Sequence, residues 1–593
     1  MAYEEGATRW GKDFGAYDTA GVALYQGRAI RLRGFEKDGR AVETPHDPGS
    51  ALPGLPAPRA DAQTRQSDSS EWLDPRPELH KSRPESRPAP NAQGPRNSMP
   101  RLAVDSSGRL WLAARSAHPV FWNPLGTVWT EHVISYDGSQ WTGPVFLTHS
   151  DNLLDNRPAL VSTQAGRMWV VGSSDARRQF QLGQANLPPR RAAGVPDPYN
   201  NDLYVNELVL TPATQTISAK AVGQSISPAL DPLDKAEAAT VASIRAQRIK
   251  SQAGDLKVLR GEFHRHSEVS GDGGGDGAIL DQWRYALDAS SMDWVGCCDH
   301  DNGGGREYTW WIAQKLTDIF YTPGRFAAMF SYERSVPYPE GHRNVIFAQR
   351  GIRTLPRLPI SSADAPGKAP DTQMLYRYLK AFNGIVAMHT SGTNMGTDWR
   401  DNDPATEPVV EIYQGDRQNY EMPGAPRSNR EEDSIGGWRP KGFVNLALEM
   451  GYKLAFQASS DHISTHMSYC NVLSRDATRE AVLDAFQKRH VYGATDNIFA
   501  DFRSGAHILG DAFTTSQPPE LKVKLGGTAP FAKVHLIKNN QHVYSIEPKK
   551  RDVEFTWRDN SLAPGKTSYY YVRGEQEDGE IVWVSPMWIT YQP

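Results

Sequence analysis

A His-x-His pair, His264 and His266, contains the first residues in this chain whose type and spacing could support chemistry. The pair lies just after the start of a predicted strand, and side chains at i and i+2 of a strand lie on one face. Two imidazoles on one face can bind a single metal ion if acidic residues and further histidines approach from elsewhere in the fold. In a chain with 16 histidines the pair alone is a weak signal, so the prediction depends on candidate ligands later in the chain.

Further candidate ligands lie at the ends of predicted strands. Parallel barrels place their active sites at the carboxyl ends of their strands, where turn residues are otherwise expected. The regular occurrence of Asp, Glu and His there favours a metal centre. The candidates are Asp272 in a glycine-rich loop, His300 within Asp299-His300-Asp301, Glu333, His342 at the start of its strand, His389, and Asp461 with His462.

Residues 255–505 contain the elements that must position these side chains. Helical stretches at 278–289, 308–320, 372–382 and 479–489 lie between apolar runs that are predicted as buried parallel strands. The runs are WVGCC (294–298), FAAMFSY (326–332), NVIFA (344–348), IVAMH (385–389), VVEIY (409–413) and KLAFQAS (453–459). This alternation indicates a (β/α) barrel or an open doubly wound sheet, and we prefer the barrel.

The remaining segments predict separate, mainly β units in a multi-domain protein. Residues 1–41 are predicted as an N-terminal β segment, and 42–100, with 12 of the 42 prolines, as a linker or irregular wrap. Residues 101–230 contain two similar hairpins with Trp111 and Trp169, which favours propeller-like β repeats over a small β-sandwich. Residues 506–593 are predicted as a C-terminal β-sandwich.

Composition excludes several classes of function. The net charge of -4 over 593 residues provides no basic field for nucleic acid. No apolar run approaches the roughly 18 residues that cross a bilayer, and three cysteines cannot build a disulfide framework. The start, MAYEEGATRW, lacks the features of a secretory leader, but a secreted or periplasmic chain after leader removal would look the same. The compartment and the oligomeric state therefore stay open.

The strand-end motifs of residues 255–505 resemble those of the polymerase and histidinol phosphatase (PHP) superfamily. They are His264-x-His266 with Ser267, Asp299-His300-Asp301, Tyr332-Glu333, His389 and Ser460-Asp461-His462, in the order of that superfamily. The resemblance implies a central distorted (β/α)7 TIM-like barrel with a two- or three-metal centre. With its tail at 489–496 and its terminal sandwich, the chain is similar to a large family known only as a domain of unknown function.

The resemblance also implies a ligand set. One ion would be held by His264, His266, Glu333 and Asp461, and Glu333 would bridge to a second ion held by His342 and His389. A third would be held by Asp272, His300 and the histidine of the last motif. That motif is usually Asp-x-His, whereas here His462 follows Asp461 directly and His466 is a rival. Neighbouring side chains of a strand point in opposite directions, so His462, which we prefer, can serve only if the chain turns at Asp461.

Such a centre predicts a hydrolase that uses Zn, Mn or Fe, with a metal-bridged hydroxide as the nucleophile on a small-molecule phosphate ester. His466 is predicted as a general acid and Asp299 as a partner that orients a ligand histidine. Arg265, Arg334 and Arg343 each lie beside a proposed ligand, and they either clamp phosphate oxygens or form outward salt bridges.

Two alternatives and one ambiguous residue stay open. The same metals could cleave sulfate esters, amides or lactones. A non-enzymatic protein could instead use its β domains to bind glycans or partners, with the central unit as a scaffold. Glu411, on the predicted strand VVEIY, is either an acid at the mouth of the barrel or part of an ion pair in the core.

Overall fold

The computed structural model describes residues 1–5, 29–52, 97–118, 128–150, 152, 157–175, 201–209, 219–222, 232–252, 254–267, 269–270, 278–288, 290–301, 307–358, 366–415, 418–432, 434, 436–461 and 468–593. The chain is multi-domain and rich in strand, with 43% strand against 16% helix. None of the helices within these residues combines the length and the apolar character needed to cross a membrane.

Small antiparallel sheets make up the described residues before 223. β1 (Ala2–Glu5) pairs with β2 (Ala29–Leu32), and β3 (Gly34–Phe35) pairs with β4 (Ala41–Glu43). A four-stranded sheet contains β5 (Asn97–Val104), β6 (Leu110–His118), β7 (Val128–Tyr136) and β8 (Trp141–Phe146). A three-stranded sheet contains β9 (Ala159–Ser162), β10 (Met168–Ser174) and β11 (Asp202–Leu208), and β12 (Lys220–Ala221) pairs with β4. Trp111 and Trp169 lie on separate sheets, and a propeller stays a prediction.

The central region alternates strands with helices. Its strands are β13 (Ile249–Ser251), β14 (Gly254–Glu262), β15 (Trp294–Gly296), β16 (Ala327–Ser335), β17 (His342–Phe347), β18 (Ile385–Met388), β19 (Val409–Gln414), β20 (Gln418–Asn419), β21 (Ala455–Ser459), β22 (Tyr469–Ser474) and β23 (Val491–Ala494). Its helices are α1 (Pro232–Ala246), α2 (Ile279–Asp288), α3 (Glu307–Phe320), α4 (Pro370–Phe382), α5 (Val444–Glu449) and α6 (Arg479–Gln487). The four predicted helices are confirmed as α2, α3, α4 and α6.

The central sheet is mixed rather than parallel throughout. β14, β15 and β16 are parallel, as are β18, β19 and β21, but β17 is antiparallel to both β16 and β18. The prediction of NVIFA as a parallel strand is therefore wrong. Only residues 336–341 separate β16 from β17, and a parallel connection needs a crossover of about a dozen residues or more. Among the described residues the strands pair as an open path and not a ring, so the TIM-like barrel stays a prediction.

The core beneath the His-x-His pair is aromatic and tightly packed. The Phe263 ring meets those of Trp294 and Phe486 edge to face, with centroids 6.1 and 4.9 Å away. A Cβ atom at Gly261 would lie 2.3 Å from the indole of Trp294. Glycine at this position therefore lets β14 approach β15 closely, directly before the pair.

The C-terminal strands form two sheets that share one core. The strands are β24 (Phe499–Ser504), β25 (His507–Ile508), β26 (Ala512–Thr515), β27 (Glu520–Gly526), β28 (Phe531–Lys538), β29 (Gln541–Ile546), β30 (Asp552–Arg558), β31 (Thr567–Gln576) and β32 (Ile581–Tyr591). One sheet has the order β25-β24-β27-β30, and Phe502 and Val523 from it pack in the same cluster as Leu536 and Val584 of the other. The second sheet is continuous with the central one, because β32 pairs with β23.

Candidate metal centre

His264 and His266 lie side by side in the segment that leaves β14. Both side chains are buried, and their Nε2 atoms are 3.2 Å apart. This segment runs beside the residues that follow β21, where Arg265 and Asp461 form a parallel bridge. The Asp461 N–H donates to the His264 carbonyl at 3.0 Å. The chain bends at Phe263 and His264 after β14 ends, so the prediction that the pair lies on a strand is wrong, yet the Nε2 atoms of both rings approach the same Oδ1 of Asp461.

Glu333 is the carboxylate around which the histidines gather. It lies near the end of β16, and its side chain is 1% exposed. Its Oε2 lies 3.4 Å from His264 Nε2, 3.1 Å from His266 Nε2 and 3.3 Å from His300 Nδ1. His300 reaches this position because the residues after β15 continue alongside β16, with the Glu333 N–H donating to the Asp299 carbonyl at 3.0 Å.

The other oxygen of Glu333 faces two histidines from the neighbouring strands. Its Oε1 lies 2.6 Å from His342 Nδ1 and 3.2 Å from His389 Nε2. His342 is the first residue of β17 and pairs with Ser335 at the end of β16, whereas His389 directly follows β18. Because β17 is antiparallel to its neighbours, its start lies at the same rim as their ends. Glu333 thus contacts imidazoles through both oxygens.

Asp461 adds a second carboxylate on the β21 side of the pair. Its Oδ1 lies 3.4 Å from His264 Nε2 and 3.0 Å from His266 Nε2. The φ angle of Asp461 is 66°, so the chain turns there in a left-handed conformation instead of continuing as a strand. The ligand set predicted for a third ion requires a turn at this point. Its predicted ligands Asp272 and His462, and the rival His466, lie outside the described residues.

The described residues contain three groups whose ligand atoms lie within 4.8 Å of one another. The groups are His264 with Glu333 and His389, His264 with His266 and Asp461, and His266 with His300 and Glu333. Shared members join them into one cluster. The Nε2 atom of His389 is buried and makes no hydrogen bond of acceptable geometry within the part of the chain that the structure describes. Buried polar atoms are usually satisfied, so this atom and the mixed nitrogen and carboxylate donors fit a divalent metal ion.

Burial keeps two of the imidazoles in the neutral form. It lowers the pKa of His389 to about 3, with a smaller contribution from the nearby His264. It also lowers the pKa of His342, although the contact with Glu333 opposes the shift. A neutral imidazole has the lone pair that a metal ion requires, so both residues are in their ligand form near neutral pH.

Where carboxylates and imidazoles meet, each group favours the charged form of the other. Burial acts to raise the pKa of Glu333, but the neighbouring histidines, His300 first, hold it well below its usual range. Burial acts to lower the pKa of His264, but Asp461 and Glu411 outweigh it and raise that pKa well above its usual value. A cation among these groups would provide the positive charge that a proton on His264 otherwise provides.

Asp299 lies behind the histidine pair. Its Oδ1 accepts from the Ser267 N–H at 2.7 Å, and its Oδ2 accepts from the Ser267 hydroxyl at 2.8 Å. The Cys297 thiol donates to the same carboxylate at 3.4 Å. Asp299 therefore fastens the residue that follows His266, which supports a role in orienting this segment.

The three arginines that the sequence offers as phosphate clamps are buried against other groups. Arg334 forms a bidentate pair with Asp371 at 2.7 and 2.8 Å, and Arg343 donates to Glu407 at 2.8 Å. Arg265 donates to a backbone carbonyl at 2.7 Å. All three are almost completely buried, so these placements do not favour contact with a substrate. Arg334 and Arg343 are the strand neighbours of Glu333 and His342, and alternation directs them to the opposite face.

Sequence reasoning missed two side chains near the centre. The Ser335 hydroxyl lies 2.5 Å from His300 Nδ1 and donates to Glu333 Oε1 at 3.3 Å. Its position two residues after Glu333 on the same strand is a signal that could have identified it. Arg357 forms an ion pair with Asp301 and has a side chain that is 24% exposed. It lies in an irregular segment after β17, where no periodicity marks it.

Comparison with known proteins gives local similarity. A family described as "Protein of unknown function (DUF3604)" matches residues 288–423. The chain is 25% identical over 277 residues to an uncharacterized protein of Chlamydia trachomatis, a match that covers 40% of this chain and 44% of that protein. It is 23% identical over 344 residues to an uncharacterized protein of Chlamydia pneumoniae, covering 52% and 53%. The chain spans about half the length of these curated relatives.

One solved structure is a two-domain protein from Bacteroides vulgatus described as containing a predicted PHP-like metal-dependent phosphoesterase. The similarity has a TM-score of 0.30 and 12% identity, and covers 57% of this chain and 97% of that one. A TM-score of this size does not assign a shared fold. The segment matched by the family of unknown function contains His300, Glu333, His342 and His389, the part of the centre built on β16 to β18 and the residues after β15.

Proposed function

We propose that this chain is a metal-dependent hydrolase that acts on phosphate esters of small molecules. One observation carries the proposal, namely that the buried Glu333 carboxylate contacts imidazoles through both of its oxygens. A carboxylate with ligands on both sides suits a pair of ions about 3.5–4 Å apart, the arrangement found in metal-dependent phosphatases and nucleases. The motif resemblance to the PHP superfamily supports the same reaction.

The proposed ligand sets divide the cluster around Glu333. His264, His266 and Asp461 would hold one ion with Glu333, and His342 and His389 would hold a second. His300 would contribute to a third ion, together with Asp272 and His462. Zn, Mn and Fe suit these mixed nitrogen and oxygen donors.

The residues of the chain prepare the site before a substrate arrives. When bound, divalent ions activate water and neutralise the oxygens of a phosphoryl group. The imidazoles are held on buried strand ends, so little reorganisation is needed when charge develops. Ser335 contacts His300, and Asp299 fastens the segment that carries His266. His466 is proposed to protonate the leaving oxygen.

Arg357 is proposed to contact the anionic group of the substrate. Its guanidinium is paired with Asp301, the residue after His300, and keeps 24% of its side-chain surface exposed beside the centre. We expect Arg357→Gln to raise KM for a phosphate ester roughly 10- to 100-fold, since a hydrogen bond to a charged group contributes about 1.5–3 kcal/mol. Steady-state kinetics would measure the change.

Arg353→Gln is the matched control for this variant, because the Arg353 side chain is 79% exposed and pairs with Glu307 at 3.6 Å. Its KM should equal that of the wild type. Equal KM values for the Arg357 and Arg353 variants would contradict the proposed contact. Metal content should be measured for both, so that a loss of ions is not mistaken for a loss of substrate affinity.

Metal analysis and a substrate panel test the proposed function. The full chain, purified without chelator, is expected to contain at least two divalent ions and to hydrolyse phosphate esters faster than sulfate or carboxylate esters. Chelation should abolish hydrolysis, and Zn, Mn or Fe should restore it. Chelation should also lower the Tm, because a bound ligand stabilises the folded state, by about 2.7 kcal/mol when it is present at 100 times its Kd.

Two results would contradict the proposal in different ways. Fewer than one ion per chain after supplementation with Zn or Mn, together with no hydrolysis, would favour the non-enzymatic binding protein. Faster cleavage of sulfate esters, amides or lactones by a metal-loaded protein would retain the centre but refute the phosphate substrate.

A further inference from the structure

We infer that Glu411 is a positioning residue that fixes the tautomer and the ring orientation of His264. This inference rests on the proposed metal centre, because it assigns His264 Nε2 to the face where the ions would lie. Glu411 stands on β19, and His264 follows β14, 147 positions earlier in the chain. The sequence alone allows two roles for Glu411, an acid at the mouth of a barrel or a member of an ion pair in the core.

Both oxygens of the Glu411 carboxylate have hydrogen-bond partners. Its Oε2 lies 3.1 Å from His264 Nδ1 and accepts from Gln457 Nε2 at 3.1 Å. Its Oε1 accepts from Gln414 Nε2 at 2.9 Å. Both Glu411 and His264 are 0% exposed, so no bulk solvent competes for these groups. The two amides fix the Glu411 carboxylate from both of its oxygens.

The proton on His264 Nδ1 follows from the chemistry of its partner. An ionised carboxylate only accepts hydrogen bonds, so Nδ1 is the donor toward Glu411 at 3.1 Å. The Gln414 amide nitrogen also lies 3.4 Å from Nδ1, but it donates to Glu411 Oε1 at the shorter distance of 2.9 Å. In a neutral imidazole the lone pair then lies on Nε2. That atom is 3.4 Å from Glu333 Oε2 and 3.4 Å from Asp461 Oδ1, and hence faces the centre. Glu411 therefore selects the tautomer that can act as a ligand.

Charge also links Glu411 to the centre. Among the described residues its ion pair is with His264, and its other side-chain partners are the neutral amides of Gln414 and Gln457. A buried carboxylate needs positive charge nearby. An ion bound at Nε2 would polarise the imidazole and strengthen the Nδ1–H hydrogen bond to Glu411. Carboxylate partners of this kind increase the basicity of ligand histidines.

Metal affinity measured beside metal-free stability tests the inference. Glu411→Gln keeps the shape of the side chain but removes its charge, and we expect the affinity for Zn or Mn to fall roughly 10- to 100-fold in chelator competition. The Tm of the metal-free variant should fall less than that of the control Glu407→Gln, because apart from His264 the hydrogen-bond donors to Glu411 are the neutral amides of Gln414 and Gln457. Glu411→Asp, which retains the charge, should recover part of the lost affinity.

Glu407→Gln is the matched control. Glu407 is also a fully buried glutamate, but it accepts from Arg343 and Tyr376 and not from a histidine of the centre. This variant should lower the metal-free Tm and leave the metal affinity at its wild-type value. Glu411→Gln is thus expected to change mainly the metal affinity and Glu407→Gln mainly the metal-free Tm. This difference separates the positioning of a ligand from a role in packing.

The metal-affinity measurements distinguish a failure of this inference from a failure of the proposed function. A wild-type chain that binds no divalent ion would overturn the proposed function and this inference together. A wild-type chain that binds ions, with equal affinity in Glu411→Gln, would overturn this inference alone. If Glu411→Gln does not fold, the metal affinity of Glu411→Asp is measured instead. An affinity below that of the wild type supports the inference, and wild-type affinity overturns it.

Discussion

Glu333→Gln is expected to cause the largest loss of function that a single substitution can produce in this chain. Glutamine has the shape of glutamate but offers one carbonyl oxygen and an amide that cannot bind a cation. The imidazoles on both sides would lose their shared carboxylate. Because metal ions contribute several kcal/mol to catalysis, we expect kcat/KM for the best phosphate ester to fall roughly a thousandfold or more. Elemental analysis should show less than half of the wild-type metal content.

Glu340→Gln is the matched control for this prediction. Glu340 is also buried and lies seven residues after Glu333 in the sequence, but its carboxylate accepts from the Thr372 N–H at 2.8 Å. This variant should retain metal and turnover. Wild-type metal content and rates in Glu333→Gln would refute the assignment of Glu333 as the bridging carboxylate. Circular dichroism of both variants would show whether a loss of activity reflects a loss of fold.

Arg334→Met is expected to have the largest effect on stability. It leaves Asp371 without the bidentate partner that it has at 2.7 and 2.8 Å, and the two side chains are 1% and 3% exposed. Removing one member of a buried ion pair costs about 3–5 kcal/mol. For a cooperative unit of 150–250 residues that loss lowers Tm by roughly 6–20 °C. Differential scanning fluorimetry of the metal-loaded protein would measure it.

The kinetics of Arg334→Met separate the structural role from a substrate contact. Assayed below its transition temperature, the variant should keep the wild-type KM. The double variant Arg334→Met with Asp371→Leu should recover much of the lost stability, because removing both charges avoids an unpaired buried carboxylate. A raised KM with an unchanged Tm would show that Arg334 contacts the substrate after all.

Local patterns predicted the elements of the central region well. The helices α2, α3, α4 and α6 form where amphipathic stretches lie between apolar runs, and these runs form strands at or near the predicted positions. Strand direction was harder to predict. The run NVIFA has the composition of a parallel strand, but the short connection after β16 forces β17 to return antiparallel. The length of the loop, and not the composition of the strand, carried that information.

Neighbours in sequence proved a poor guide to neighbours in space. Arg334 and Arg343 are candidates for substrate contact in the sequence because each adjoins a candidate ligand, yet strand alternation directs their guanidinium groups to buried acids on the other face. Arg357 has no such mark, because it lies in an irregular segment that has no period to indicate its direction. Its pairing with Asp301 depends on the path of the chain after β17.

Local patterns identify the candidate ligands and their order, because apolar runs followed by His, Asp or Glu are a signal that strand periodicity can interpret. How these ligands meet depends on the three-dimensional fold. It places five histidines on the two oxygens of Glu333, turns the chain at Asp461, and brings Glu411 to His264 across 147 positions. Contacts at such separations depend on strand order and direction. Those depend on packing of the whole sheet, which no local pattern encodes.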